Sequence, residues 1–137
     1  MNGGTSGLIL HVDDDRSTRD SMAMLLNGDG YLVCSAASGT EAIHLATGGF
    51  QPDVLIVDYD LGQPLNGAEV AEQIWQLLTY LPPTIMLTGN ARGAKLPRMI
   101  DTIFWLTCKP LNPRLMLAAL PSLVQLSRST REASTAA

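Results

Sequence analysis

Five short apolar runs alternate with helix-like stretches along this chain, and that alternation constrains the fold more than any other feature. The runs read as strands over 8–12, 31–35, 53–57, 84–88 and 103–107. The helix-like stretches cover 16–27, 38–48, 67–79, 91–99 and 112–127. In the third run, Asp53-Val54-Leu55-Ile56-Val57-Asp58, four large aliphatics stand between two acids. So continuous an apolar stretch fits a strand buried on both faces. Strands alternating with helices predict a doubly wound α/β domain, a parallel sheet covered on both sides. Right-handed crossovers then fix most of the connections. With 137 residues, 46% hydrophobic and 16% charged, the chain suffices for one such domain and its core.

Boundary signals agree with this division. Asp15 is placed to cap the first helix, in which Met22, Leu25 and Leu26 share a face. Gly28 and Gly30 stop it. Ser38 and Glu41 have capping-box spacing ahead of Ala42, Ile43, Leu45 and Ala46. Asn66 precedes the helix carrying Val70, Ile74, Leu77 and Leu78, and Asn112-Pro113 is a cap followed by proline at the first helical position. Gly93 and Pro97 predict a short or broken fourth helix, and Pro121 predicts a kink or break in the fifth. Residues 1–6 read as a flexible leader and 129–137 as a disordered tail, leaving a domain over 7–128.

The polar residues that close the strands carry the chemistry. Asp13-Asp14-Asp15 follows the first, Asp58 ends the third, Thr88 ends the fourth and Lys109 follows the fifth. The carboxyl ends of parallel strands are where open α/β sheets bind ligands. Taken singly, each residue has an ordinary explanation: a helix cap, a strand-ending threonine, a surface lysine. In order they form a set. Asp13, Asp14 and Asp58, brought together near the sheet's switch point, repel one another unless a hard cation binds. Mg²⁺ suits such oxygen ligands, and would neutralise a phosphoryl group arriving at Asp58. Thr88 could donate to a phosphoryl oxygen, and Lys109 could point back into the cleft.

Other features narrow the field. A net charge of −4 and a pI near 4.9 argue against nucleic acid as a partner. No apolar run approaches the ~18 residues of a membrane span. Cys34 and Cys108 lie in apolar strands without metal-ligand spacing, which fits a reducing, cytoplasmic setting. His11, inside the first strand, is expected to be buried and hydrogen-bonded. His44 is expected to face solvent and Trp75 to sit in or beside the core. Arg92, Lys95 and Arg98 cluster after Thr88, as a solvated face or a patch for an acidic partner.

Over roughly 7–128 the chain resembles a response-regulator receiver domain. The resemblance rests on Val12-Asp13-Asp14-Asp15, Val57-Asp58, Leu87-Thr88-Gly89 and Cys108-Lys109-Pro110. It implies a flavodoxin-like (βα)5 fold with strand order 2-1-3-4-5. Asp58 would take a phosphoryl group from a histidine kinase or histidine phosphotransfer protein. Asp13, Asp14 and the backbone carbonyl of Asp60 would help bind Mg²⁺, and Thr88 and Lys109 would bind the phosphoryl oxygens. It also implies a cis Lys109–Pro110 bond, and leaves room for a weak homodimer. The chain would not be a turnover enzyme. It departs from the pattern at Leu106, where an aromatic residue is usual, and in a loop over 59–67 one residue longer than common. The loop resembles receivers of hybrid histidine kinases. With no output domain in 137 residues, a stand-alone receiver or one excised from a hybrid kinase is expected. Two rival readings stand beside it. One is a haloacid-dehalogenase-like phosphatase with Asp58 as nucleophile and Asp60 as general acid, disfavoured because the motif lies on the third strand. The other is a non-phosphorylated receiver-like dimerisation module.

Overall fold

Val54, Leu55, Ile56 and Val57 are fully buried, in β3 (Val54–Asp58) at the centre of a five-stranded sheet. The computed structural model describes residues 6–62, 64–89, 104–109 and 111–136. Ahead of β3 come β1 (Gly7–Val12), α1 (Arg16–Gly28), β2 (Tyr31–Ala36) and α2 (Gly39–Thr47). After it come α3 (Gly67–Leu77), β4 (Thr84–Thr88), β5 (Phe104–Cys108) and α4 (Pro113–Ala136). All pairings are parallel and the order is β2-β1-β3-β4-β5, the expected doubly wound arrangement.

Strand side chains alternate between two cores. Leu10, Val12, Leu55, Val57 and Met86 pack against α2 and α3 through Ala42, Ala46, Val70, Ile74 and Trp75. Ile9, Ile56, Ile85 and Leu87 pack against α1 and α4 through Met22, Leu26, Met116, Leu120 and Val124. Trp75 is buried, and its indole N–H donates to the Thr84 hydroxyl at 3.1 Å. His44 is exposed, as expected.

The caps differ in detail from the sequence reading. Asp15 does cap α1, accepting from the Thr18 N–H at 3.1 Å. At α2 only half of the capping box forms: Ser38 Oγ accepts from the Glu41 N–H, while Glu41 reaches past Ser38 to the Ala37 N–H. The reciprocal box closes at α3 instead, between Asn66 and Glu69, with both bonds at 2.9 Å. That helix ends at Leu77, short of the expected 79.

Two expectations for the C-terminal helix are corrected. Pro121 does not break α4, which runs through it. Pro121 is exposed, and Met116, Leu120 and Val124 are buried on the sheet side. Each such burial contributes roughly 1.5–3 kcal/mol, together more than the ~3 kcal/mol a proline costs in a helix interior. The helix also runs past its expected end at 127: α4 continues to Ala136. A clasp at Asp53 holds it there. The buried Asp53 carboxylate accepts from the Leu8 N–H at 2.9 Å, Arg128 at 3.4 Å and Arg131 at 2.8 Å. The Arg131 guanidinium also lies 4.2 Å from the centroid of the Tyr80 ring, and the Tyr80 hydroxyl donates to the Pro52 carbonyl at 2.6 Å. Arg128 and Arg131 thus gain partners that no local pattern announces.

The fourth helical stretch near 91–99, the Arg92, Lys95 and Arg98 cluster, the Leu106 and Cys108 side chains, the Lys109–Pro110 bond and leader residues 1–5 lie outside the described residues.

Candidate functional site

Parallel pairing carries the ends of β1 and β3 to the same edge, with Val12 opposite Val57. The next residues, Asp13-Asp14 and Asp58, therefore meet. A carboxylate oxygen from each of the three lies within 4.8 Å of the others. Asp13 and Asp58 are buried and Asp14 is exposed. Lys109, just past β5, reaches across to Asp58, its Nζ donating to Oδ2 at 3.0 Å. Thr88, at the end of β4 between them, is buried, and its carbonyl accepts from the Lys109 N–H at 2.8 Å. The structure thus brings Asp13, Asp14, Asp58 and Lys109 together, with Thr88 on the intervening strand.

Backbone contacts orient the acids. Asp58 Oδ1 accepts from the Asp60 N–H at 3.1 Å. Asp13 Oδ1 accepts from the Asp15 N–H at 2.9 Å, and the Asp13 carbonyl accepts from Arg19 at 2.9 Å. Asp13 Oδ2 is buried and meets no hydrogen-bond partner among the described residues. Gly67 lies against β3: a Cβ there would stand 2.2 Å from the Asp58 carbonyl oxygen, and its N–H donates to the Tyr59 carbonyl at 2.8 Å. Only glycine lets α3 start so close to the β3 terminus. Beside the cluster is a cleft of about 490 Å³ lined by Asp13, Thr18, Met22, Leu87, Lys109 and Leu111.

The electrostatics call for a cation. Burial pushes the Asp13 carboxyl above its ordinary range, and the Asp58 charge adds to this against the Asp15 N–H bond. Burial also pushes Asp58 up, outweighing the Lys109 contact. At Lys109 burial acts downward, but the Asp58 hydrogen bond and charge overcome it and the ammonium is pushed up. Asp58 is thus harder to ionise than a free carboxyl even while paired with Lys109. A divalent ion fits this donor set: three carboxylates converge, and one buried oxygen lacks a partner. Asp60, the general acid of the phosphatase reading, is exposed, and its backbone N–H is what bonds to Asp58.

Sequence reading did not single out Arg19 or Gly67. Arg19 belongs to the first turns of α1, and only the fold of α1 against β1 reveals that it reaches the Asp13 carbonyl. Gly67 follows the recognised cap Asn66, a position from which close packing could have been suspected.

Residues 9–120 match the family model described as response regulator receiver domain. Transcriptional regulatory protein CpxR of Klebsiella pneumoniae is 30% identical over 130 residues, covering 93% of this chain and 53% of that protein. Response regulator MprA of Mycobacterium ulcerans is 39% identical over 83 residues, 61% of this chain and 35% of that protein. The chain therefore spans about half the length of the first relative and about a third of the second. Among solved structures, the N-terminal domain of a response regulator/sensory box/GGDEF 3-domain protein from Carboxydothermus hydrogenoformans superposes with a TM-score of 0.76 at 25% identity, covering 89% of this chain and 97% of that one. The receiver domain of the hybrid histidine kinase CckA does so at 0.71 and 25%, covering 87% and 100%.

Proposed function

The chain belongs to the response-regulator receiver domain family, and on that premise we propose that Asp58 accepts a phosphoryl group from the phosphohistidine of a histidine kinase or phosphotransfer protein, with Mg²⁺ held by Asp13, Asp14, Asp58 and the Asp60 carbonyl. The observation that carries this reading is Lys109 Nζ at 3.0 Å from Asp58 Oδ2 beside the converged acids. It joins a nucleophilic carboxylate, a metal-ligand set and a cation for the incoming charge at one sheet edge.

In the transfer, an Asp58 carboxylate oxygen attacks phosphorus. The P–O bond forms as the donor's P–N bond breaks, and the electron pair returns to the histidine ring. Mg²⁺ supplies charge neutralisation to the phosphoryl oxygens. Lys109 gives up its contact with Oδ2 and binds a phosphoryl oxygen, as does the Thr88 hydroxyl. The Asp60 N–H continues to hold Oδ1, so the carboxylate does not rotate. The protein is its own substrate, so it undergoes self-phosphorylation and self-dephosphorylation rather than turning over a separate ester. The resulting change alters which protein surfaces make contact.

Incubation with acetyl phosphate and Mg²⁺, followed by peptide mass spectrometry, should add one phosphoryl group to the peptide bearing Asp58. Asp58→Asn should abolish the addition, and undiminished labelling would move the acceptor elsewhere. EDTA should block it. Without divalent ions Asp13→Asn should raise the melting temperature, because it removes a buried carboxylate whose charge burial and Asp58 both oppose. Calorimetry of the unsubstituted chain should show a Mg²⁺-dependent rise in melting temperature, and the same variant should lose it.

A further inference from the structure

Three contacts fix Asp13. Its carbonyl accepts from Arg19 Nη1 at 2.9 Å, its Oδ1 accepts from the Asp15 N–H at 2.9 Å, and its own N–H donates to the Ala36 carbonyl at 3.1 Å. Only Oδ2 is left without a partner among the described residues, in a residue that is 1% exposed. A carboxylate oxygen of Asp13 lies within 4.8 Å of one from Asp14 and one from Asp58, and Oδ2 is the Asp13 oxygen that no hydrogen bond among the described residues occupies.

Resting on the acid cluster as the Mg²⁺ site, we propose that Arg19 is a positioning residue that holds the β1–α1 turn so that Asp13 presents Oδ2 to the metal. Arg19 is itself well braced. Its N–H donates to the Asp15 carbonyl at 3.0 Å in the first turn of α1, and Asp15 caps that turn through Thr18 at 3.1 Å. Cap, helix turn and guanidinium close a ring around Asp13: Asp15 touches its carboxylate, Arg19 its carbonyl, and Asp15 and Arg19 touch each other. The effect is one of placement rather than charge. The charges that shift the Asp13 carboxyl are those of Asp58, Lys109 and Asp14, while the Arg19 charge acts on His11 and Asp15. Removing a partner that orients a metal ligand commonly weakens the metal by 10–100-fold.

The test uses the full chain and Mg²⁺ itself, by isothermal calorimetry, with labelling by acetyl phosphate measured across a Mg²⁺ series. Arg19→Ala should weaken Mg²⁺ about tenfold. It should raise the Mg²⁺ needed for half-maximal labelling by the same factor, and restore full labelling at saturating Mg²⁺. Arg19→Lys keeps a donor and a charge on a different geometry, and should fall between. If Arg19→Ala binds Mg²⁺ as tightly as the unsubstituted chain, the inference is overturned, whatever happens to its melting temperature. Should Arg19→Ala not fold, Arg19→Lys decides: an affinity equal to the unsubstituted chain's overturns the inference and a weaker one supports it. An unsubstituted chain that binds no Mg²⁺ would overturn the metal site and this inference together. Tight Mg²⁺ binding with no labelling at Asp58 would sink the phosphoacceptor reading alone.

Discussion

His11 is fully buried in β1, with Ser35 and Ile56 as its strand neighbours, and neither ring nitrogen meets a partner among the described residues. Its burial was legible from its place inside an apolar run. The hydrogen bond expected with that burial does not form among the described residues, which corrects the sequence reading. Burial, reinforced by the Arg19 charge, pushes the imidazole from 6.5 down to about 4. Between those values the unfolded chain binds a proton that the folded chain does not. Stability therefore falls as pH drops through that window, and is regained as pH rises above it. At about pH 5 the loss attributable to His11 should be roughly 2 kcal/mol relative to about pH 7. Denaturant titrations at the two pH values should show His11→Leu losing that much less than the unsubstituted chain. An identical loss in both would assign the titration to other groups. The acids were legible singly and as an ordered set, because each closes an apolar run. Arg19 was not, since its partner is a backbone carbonyl and carries no sequence signature.

Five strands followed from the alternation of apolar runs, as did the helices now described as α1, α2 and α3, while the strand order followed from the family resemblance. Errors arose where a local rule met a tertiary contact. Glu41 had the right spacing to complete a box at Ser38, yet it bonds to Ala37, while Asn66 and Glu69 complete theirs. Pro121 had the right chemistry to break a helix, yet α4 persists because its opposite face is buried. A proline tolerated in this way still withholds an N–H from the helix. Pro121→Ala should therefore stabilise the protein by about 2 kcal/mol. The gain is the ~3 kcal/mol helix penalty less the ~1 kcal/mol by which proline restricts the unfolded chain. Thermal unfolding would measure it, and a lower melting temperature would mean that Pro121 makes a contact worth more than the missing bond.

At the scale of the whole molecule, β3 is fastened at both ends. Asp58 pairs with Lys109 at one end, and Asp53, just before the strand, pairs with Arg128 and Arg131 at the other. The lysine lies shortly before α4 and the arginines near its end, so that helix and β3 form a closed frame. Arg131→Ala should cost about 2 kcal/mol through the lost charged hydrogen bond and the ring contact with Tyr80. Hydrogen exchange should then quicken in the last turns of α4, with labelling at Asp58 unaffected. Slow exchange there would show that Arg128 alone secures the helix. Tension applied after Arg131 would follow a defined load path. It would pass into the base of β3 through Asp53 and spread to β1 through the Leu8 amide, before it could reach the acids at the other edge. The clasp thus works as strain relief, and a pull on that end should peel the last helical turns while the acid cluster keeps its shape.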